Sequence, residues 1–145
     1  LNEVLTYKSL NEVLQESDVI SLHVDLNETT KGLIGSEELA LMKPTAFLIN
    51  ECRGPVVDTD ALIATLKNKK LAGAALDTLE ENFFNFDLRG KKLPSEQLKE
   101  LRAMNNVILT PHVGFYTNVA VQNMVDISLD DVLAIISEKR SDHEI

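Results

Sequence analysis

The 145-residue sequence has no tryptophan, one cysteine and only three histidines. A lone thiol, Cys52, excludes an intramolecular disulfide and suits a reducing, cytoplasmic setting. So few histidines and cysteines give no basis for a Cys/His zinc cluster, and no metal is expected. Positive charge is also scarce. Fourteen Lys and Arg against 23 Asp and Glu leave a formal charge of −9, the wrong sign for a chain that neutralises nucleic-acid phosphates. The small basic clusters, Lys67/Lys69/Lys70 and Lys91/Lys92, read as solvated surface. No apolar run approaches the ~20 residues that cross a bilayer. Nor does a basic segment followed by an apolar one open the sequence, so no membrane partner or secretory signal is expected.

Helical and strand patterns alternate along the chain. Ser9 stands three residues before Glu12, which predicts a capping box at the start of "SLNEVLQES". "DVISLHV" predicts a strand over 19–24. "SEELALMK" predicts a helix capped by Ser36 and stopped near Pro44. A second strand is predicted at 46–50, followed by the helix "DTDALIATLKNKK" with Asp58 or Thr59 as its cap. Two more short apolar strands are expected at 71–76 and 106–110. Residues 80–94 read as a long loop and "SEQLKELRA" as a short helix. A last, long helix runs from about 117 to 138, with Val121, Met124, Val125, Leu129, Val132, Leu133 and Ile136 as its apolar stripe. Helices alternating with short buried strands imply right-handed βαβ units and a parallel sheet, hence the α/β class. Strands that are apolar throughout suggest a sheet covered on both faces.

Open parallel sheets gather their ligands at the carboxyl ends of the strands. The residues there are His23-Val24-Asp25, Asn50-Glu51-Cys52-Arg53, Asp77 with Glu80 and Glu81, and Pro111-His112. A single such histidine, His23 for example, is most simply a satisfied polar group. The joint set of Arg53, Glu80 or Glu81, and His112 can do more. A guanidinium binds a carboxylate through two parallel hydrogen bonds. An imidazole titrates near neutrality and can pass a proton to or from a carbonyl or hydroxyl, and a carboxylate beside it orients the ring. These are the groups needed to interconvert a 2-oxo acid and a 2-hydroxy acid, with the hydride supplied by a cofactor because no side chain carries one.

The segments "SDVISLHV", "LMKPTAFLINECRGPVVDTDALIATLKNKKLAGAALD" and "NVILTPHVGFYT" resemble, in order and spacing, the D-isomer-specific 2-hydroxyacid dehydrogenases, most of all the D-lactate dehydrogenases among them. The resemblance implies a Rossmann-like fold in which an NAD-binding domain is inserted into a substrate-binding domain, often as a homodimer. Residues 1–145 look like the second half of that NAD-binding domain, with the 117–145 helix leading back towards the substrate domain. It further implies that Arg53 holds the substrate carboxylate, that His112 is the general acid/base and that Asp77 contacts the nicotinamide carboxamide. Val24 and Asp25 would lie by the adenosine, Thr30, Glu51 and Cys52 would line the cofactor, and Phe115 matches an aromatic residue near the substrate.

Three departures qualify the match. No G-x-G-x-x-G phosphate loop occurs, nor the acidic residue that follows it, and the family carries both upstream of the position of Leu1. Together with an apolar strand at 19–24 that would otherwise present an open edge, this leads to the expectation of a longer parent protein. Asp25 stands where the family usually has proline. The family's catalytic glutamate comes five residues after the aspartate matched by Asp77, where this sequence has Asn82. Glu81 is the leading replacement, a histidine without a carboxylate partner the second, and Glu80 the third. The expected function is therefore NAD-dependent reduction of a 2-oxo acid, pyruvate to D-lactate above others, in a longer chain, with negligible NADH affinity for the 145 residues alone. The rival expectations are a non-enzymatic NAD(H)-sensing protein on the same scaffold and an inert fragment.

Overall fold

In the computed structural model, which describes residues 6–80, 95–137 and 140, each short apolar run becomes a strand. The strands are β1 (Val19–Leu22), β2 (Phe47–Asn50), β3 (Gly73–Leu76) and β4 (Val107–Leu109). All pair in parallel, in the order β1-β2-β3-β4. The helices are α1 (Leu10–Glu16), α2 (Ser36–Leu41), α3 (Thr59–Lys67), α4 (Glu96–Arg102) and α5 (Asn118–Ile136). The predicted loop over 80–94 lies, beyond Glu80, outside the described residues.

Local chemistry sets most helix starts. The Ser9 and Glu12 capping box forms, with the Ser9 N–H donating to the Glu12 carboxylate at 2.9 Å. The Ser9 hydroxyl and, after it, that backbone hydrogen bond hold the Glu12 carboxyl below its usual range. Asp58 rather than Thr59 caps α3, its Oδ1 accepting from the Ala61 N–H at 2.9 Å. At α2 the expected cap is displaced by one residue. Gly35 is the N-cap and Ser36 the first helical residue, because Glu38 reaches back to accept from the Gly35 N–H at 3.0 Å.

The core lies on one side of the sheet. Register places Ile20, Leu48, Ala74 and Val107 in one row and Leu22, Asn50, Leu76 and Leu109 in the next. The apolar side chains of these rows pack with Leu14 of α1, Leu39 of α2, Leu62, Ile63 and Leu66 of α3 and Leu101 of α4. Each fully buried leucine contributes about 1.5–3 kcal/mol. The alternate residues face away, and Val19, Phe47 and Ile108 are about half exposed or more. The expectation of a sheet covered on both faces is not met within the Leu1–His112 unit, whose described helices α1 to α4 pack on one face. Every crossover steps the same way across the sheet, and right-handed connections that all advance in one direction put their helices on one face. Composition does not reveal this, because the apolar side chains of the open face read the same in sequence as those of the packed one.

The chain divides into two units, Leu1–His112, which holds the sheet and α1 to α4, and Val113–Ile145, which holds α5. Thr117 caps α5, its hydroxyl accepting from the Ala120 N–H at 3.1 Å, and the apolar stripe from Met124 to Ile136 is exposed.

Candidate active site

Because the four strands run parallel and in register, Asn50, Leu76 and Leu109 end side by side. At the exit of β2, Asn50 is buried and organises the three residues after it. Its Nδ2 donates to the Arg53 carbonyl at 3.1 Å, and its Oδ1 accepts from the Cys52 N–H at 3.2 Å and lies 3.2 Å from the thiol. A single 3-10 turn, Gly54–Val56, comes next, with Pro55 supplying a preset φ. Arg53 sits before it in extended backbone, φ −143°, and is exposed. Its Nη1 donates to the Cys52 carbonyl at 2.8 Å. Among the described residues no carboxylate lies within ion-pair distance, so most of the guanidinium fork is free for an anion.

The exit of β3 is held tightly against that turn. A Cβ on Gly54 would sit 1.9 Å from the carbonyl carbon and oxygen of Leu79 and 2.4 Å from the Glu80 nitrogen, so only glycine permits the approach. Glu80 turns its carboxylate to α3, Oε2 accepting from the Thr59 N–H at 3.2 Å. Asp77 is buried; its N–H donates to the Asn50 carbonyl at 3.0 Å, and its Oδ1 accepts from the Thr110 hydroxyl. Thr78 is also buried, and its hydroxyl has no hydrogen-bond partner among the described residues.

At the exit of β4, the Thr110 N–H donates to the Leu76 carbonyl at 3.0 Å, and Pro111 precedes a half-buried His112. His112 has φ +56°, in the left-handed region that side chains rarely occupy. Strand order puts Asp77 between the Arg53 turn and His112.

Beyond β1, Val24 packs on the core and Asp25 is exposed. The Asp25 carbonyl accepts from the Thr30 hydroxyl at 2.5 Å, and Asn27 closes the loop by accepting from the Thr29 N–H at 2.9 Å. Three backbone bonds then tie this loop to the β2 exit: Gly32 to Pro55 at 2.8 Å, Ile34 to Val56 at 3.0 Å and Asp58 to Ile34 at 3.0 Å. His23 is exposed and pairs with the Ser21 hydroxyl at 2.8 Å.

Arg53, Asp77 and His112 thus share the carboxyl edge of the sheet, with Val24, Asp25, Thr30, exposed Glu51 and half-buried Cys52 on adjoining exits. Phe115 belongs to the second unit, where its ring meets Tyr116 edge-on at 6.0 Å. Glu81 and Asn82 lie outside the described residues. Three contributors do not stand out in the sequence: Asn50, Gly54 as a close-approach position, and Thr110. Asn50 and Thr110 carry one available signal, a hydrogen-bonding side chain at the last position of an apolar run.

The family described as D-isomer specific 2-hydroxyacid dehydrogenase, NAD binding domain, matches residues 2–114. The chain belongs to this family. Among its relatives, an aromatic 2-oxoacid reductase from Clostridium sporogenes is 44% identical over 129 residues, covering 88% of this chain and 39% of that protein. A D-lactate dehydrogenase from a Sporolactobacillus species superposes with a TM-score of 0.92 at 62% identity, covering 99% of this chain and 44% of that one. The NAD-complexed form of a D-isomer specific 2-hydroxyacid dehydrogenase from Lactobacillus delbrueckii ssp. bulgaricus gives 0.92 at 41% identity, again over 99% and 44%. The chain therefore spans less than half the length of these relatives. NAD is the family's cofactor. The residues present suit such a group: Asp77 holds a buried carboxylate, oriented by Thr110, at the edge of the sheet, an acceptor for an amide N–H.

Proposed function

We propose that the protein carrying this chain reduces a 2-oxo acid to the D-2-hydroxy acid with NADH, pyruvate to D-lactate being the leading pair. The observation that carries this reading is the row of Arg53, Asp77 and His112 on adjacent exits of one parallel sheet, with no carboxylate paired to the guanidinium among the described residues. When bound, NADH supplies the hydride. Arg53 grips the substrate carboxylate with its planar fork and fixes the carbonyl carbon in one orientation. His112, as the imidazolium, gives its proton to the carbonyl oxygen as the carbon is reduced, and takes it back in the reverse direction. Asp77, oriented by Thr110, accepts from the carboxamide and so sets which nicotinamide face meets the substrate. Glu81 is the proposed carboxylate partner of His112. Glu80 turns its Oε2 to the Thr59 N–H, which supports Glu81 over Glu80 in that role.

On this reading residues 1–145 form the second half of an NAD-binding domain, α5 continues towards a substrate-binding domain, and the protein is a cytoplasmic homodimer. The 62% identity to a D-lactate dehydrogenase from a Sporolactobacillus species supports pyruvate as the substrate of this protein. The aromatic 2-oxoacid reductase at 44% identity makes phenylpyruvate-like acids the natural second set to assay.

The test is NADH oxidation by the full-length protein against a panel of 2-oxo acids, with pyruvate first. Turnover that His112→Asn abolishes supports the reading. Tight NADH binding without turnover of any acid would instead support an NAD(H)-sensing protein, the alternative favoured by Asn82 at the family's glutamate position.

A further inference from the structure

We propose that Glu80 is a positioning residue for Arg53, its carboxylate fixing the β3 exit to the start of α3 so that the substrate clamp is held at a set distance from Asp77. The inference rests on the reaction proposed above and concerns how its carboxylate site is built.

Two independent contacts bracket the segment that begins at Arg53. At one end, Gly54 lies so close to the Leu79–Glu80 backbone that a Cβ would be 1.9 Å from Leu79. At the other end, 21 residues separate Glu80 from the Thr59 N–H it accepts at 3.2 Å, so the bond is tertiary. Asp58 already serves the Ala61 N–H, which leaves Thr59 as a separate first-turn donor. Thr59 is buried, so its N–H needs a partner from the protein. A carboxylate is the favoured one at the positive end of a helix. Residues 54–59 are thereby pinned at both ends to the peptide that follows Asp77 by two residues. Arg53 inherits that placement through its carbonyl, which accepts from Asn50 and from the Val56 N–H at 3.2 Å. Loss of one pin lets the clamp drift, and binding geometry is sensitive to displacements on the order of 1 Å.

The experiment compares Glu80→Ala, Glu80→Gln and Thr59→Pro in the full-length protein, measuring KM and kcat for the best 2-oxo acid and the pH profile of kcat/KM. Glu80→Ala is expected to raise KM about tenfold, the loss of one charge-assisted hydrogen bond, with kcat within about twofold and the pH profile unmoved. Glu80→Gln keeps the acceptor oxygen and should restore KM to within about threefold of wild type. Thr59→Pro removes the N–H donor and replaces the buried threonine side chain. Proline is favoured at the first helical position, and Asp58, at φ −68° and ψ 107°, already has the backbone that precedes one. It should reproduce the Glu80→Ala effect, and the double variant should be no worse than either single one.

An unchanged KM in Glu80→Ala overturns the proposal. So does a lost limb of the pH profile that Gln fails to rescue, which would make Glu80 a proton-handling group. Additive effects in the double variant overturn it as well, since the two groups would then not act through their bond. A wild type that turns over no 2-oxo acid removes the reading of the reaction itself, and is seen before any variant is made.

Discussion

The exits of β2 and β4 each deliver a chemical group to the same edge of the sheet, and they are built in opposite ways. Arg53 stands in relaxed extended backbone, braced by the buried Asn50, closed by a 3-10 turn and pressed against the next exit at Gly54. His112 stands at φ +56°, immediately before the boundary between the two units. Strain of this kind costs about 1–3 kcal/mol and persists only where the surroundings impose it. The contrast fits the two proposed tasks. A carboxylate clamp works by being in one place, so its scaffold is over-determined. A proton carrier must aim a ring at a reacting oxygen, and the left-handed turn re-aims it at a cost the fold absorbs.

The largest expected effect comes from His112→Asn, which keeps a side chain tolerated at positive φ and removes the proton carrier. kcat for 2-oxo acid reduction should fall by about 10³-fold, with KM much less affected. A variant that keeps wild-type kcat and shows only a shifted pH optimum would dismiss His112 as the acid/base. Arg53→Lys should cost about 100-fold in kcat/KM, because a point charge replaces the bidentate fork. Steady-state kinetics with pyruvate would show it, and an unaltered kcat/KM would mean the carboxylate is held elsewhere. Folding should be indifferent to this change, since Arg53 is exposed and makes one side-chain hydrogen bond, to the Cys52 carbonyl, among the described residues.

The brace beneath the clamp should behave in the reverse sense, with stability affected first. Gly54→Ala forces a Cβ into the Leu79 backbone and should destabilise the protein by about 2–3 kcal/mol, read as a shift in the urea midpoint. Asn50→Leu leaves the Cys52 N–H without its partner and takes one of two donors from the Arg53 carbonyl, and should cost about 1–2 kcal/mol. If Asn50→Leu left both stability and KM intact, the β2 exit would not be the rigid member of the pair.

Much of this arrangement is legible in the sequence. Four apolar runs become four parallel strands in chain order, and Ser9 with Glu12 announces its own capping box. Arg53 and His112 are legible for the same reason: a residue just past a parallel strand must emerge at the ligand edge. What escapes is whatever depends on a distant partner or on the third dimension. Glu80 reads as a rival for the histidine until its carboxylate is seen on Thr59, 21 residues away. Thr110 reads as a strand terminator until its hydroxyl is seen on Asp77. The cap of α2 moves from Ser36 to Gly35 because Glu38 reaches back to a backbone N–H, a choice that serine's own propensity hides. The one-sided packing of α1 to α4 escapes because handedness, not composition, decides which side of the sheet they take.

The smallest expected effect tests the contrast most directly. Replacing His112 by Ala and by Gly removes the imidazole in both cases, so the two variants differ by one Cβ at φ +56°. Glycine pays no steric penalty there, whereas alanine costs about 1 kcal/mol, so His112→Gly should be the more stable of the two by roughly that amount. The same pair at Arg53, where φ is −143°, should invert, with Ala more stable than Gly by about 0.5–1 kcal/mol because only the unfolded-state entropy of glycine then matters. Urea midpoints of the four variants measure both differences. Equal signs at the two positions would show that the β4 exit carries no backbone strain, and the division between a relaxed clamp and a strained proton carrier would fall with it.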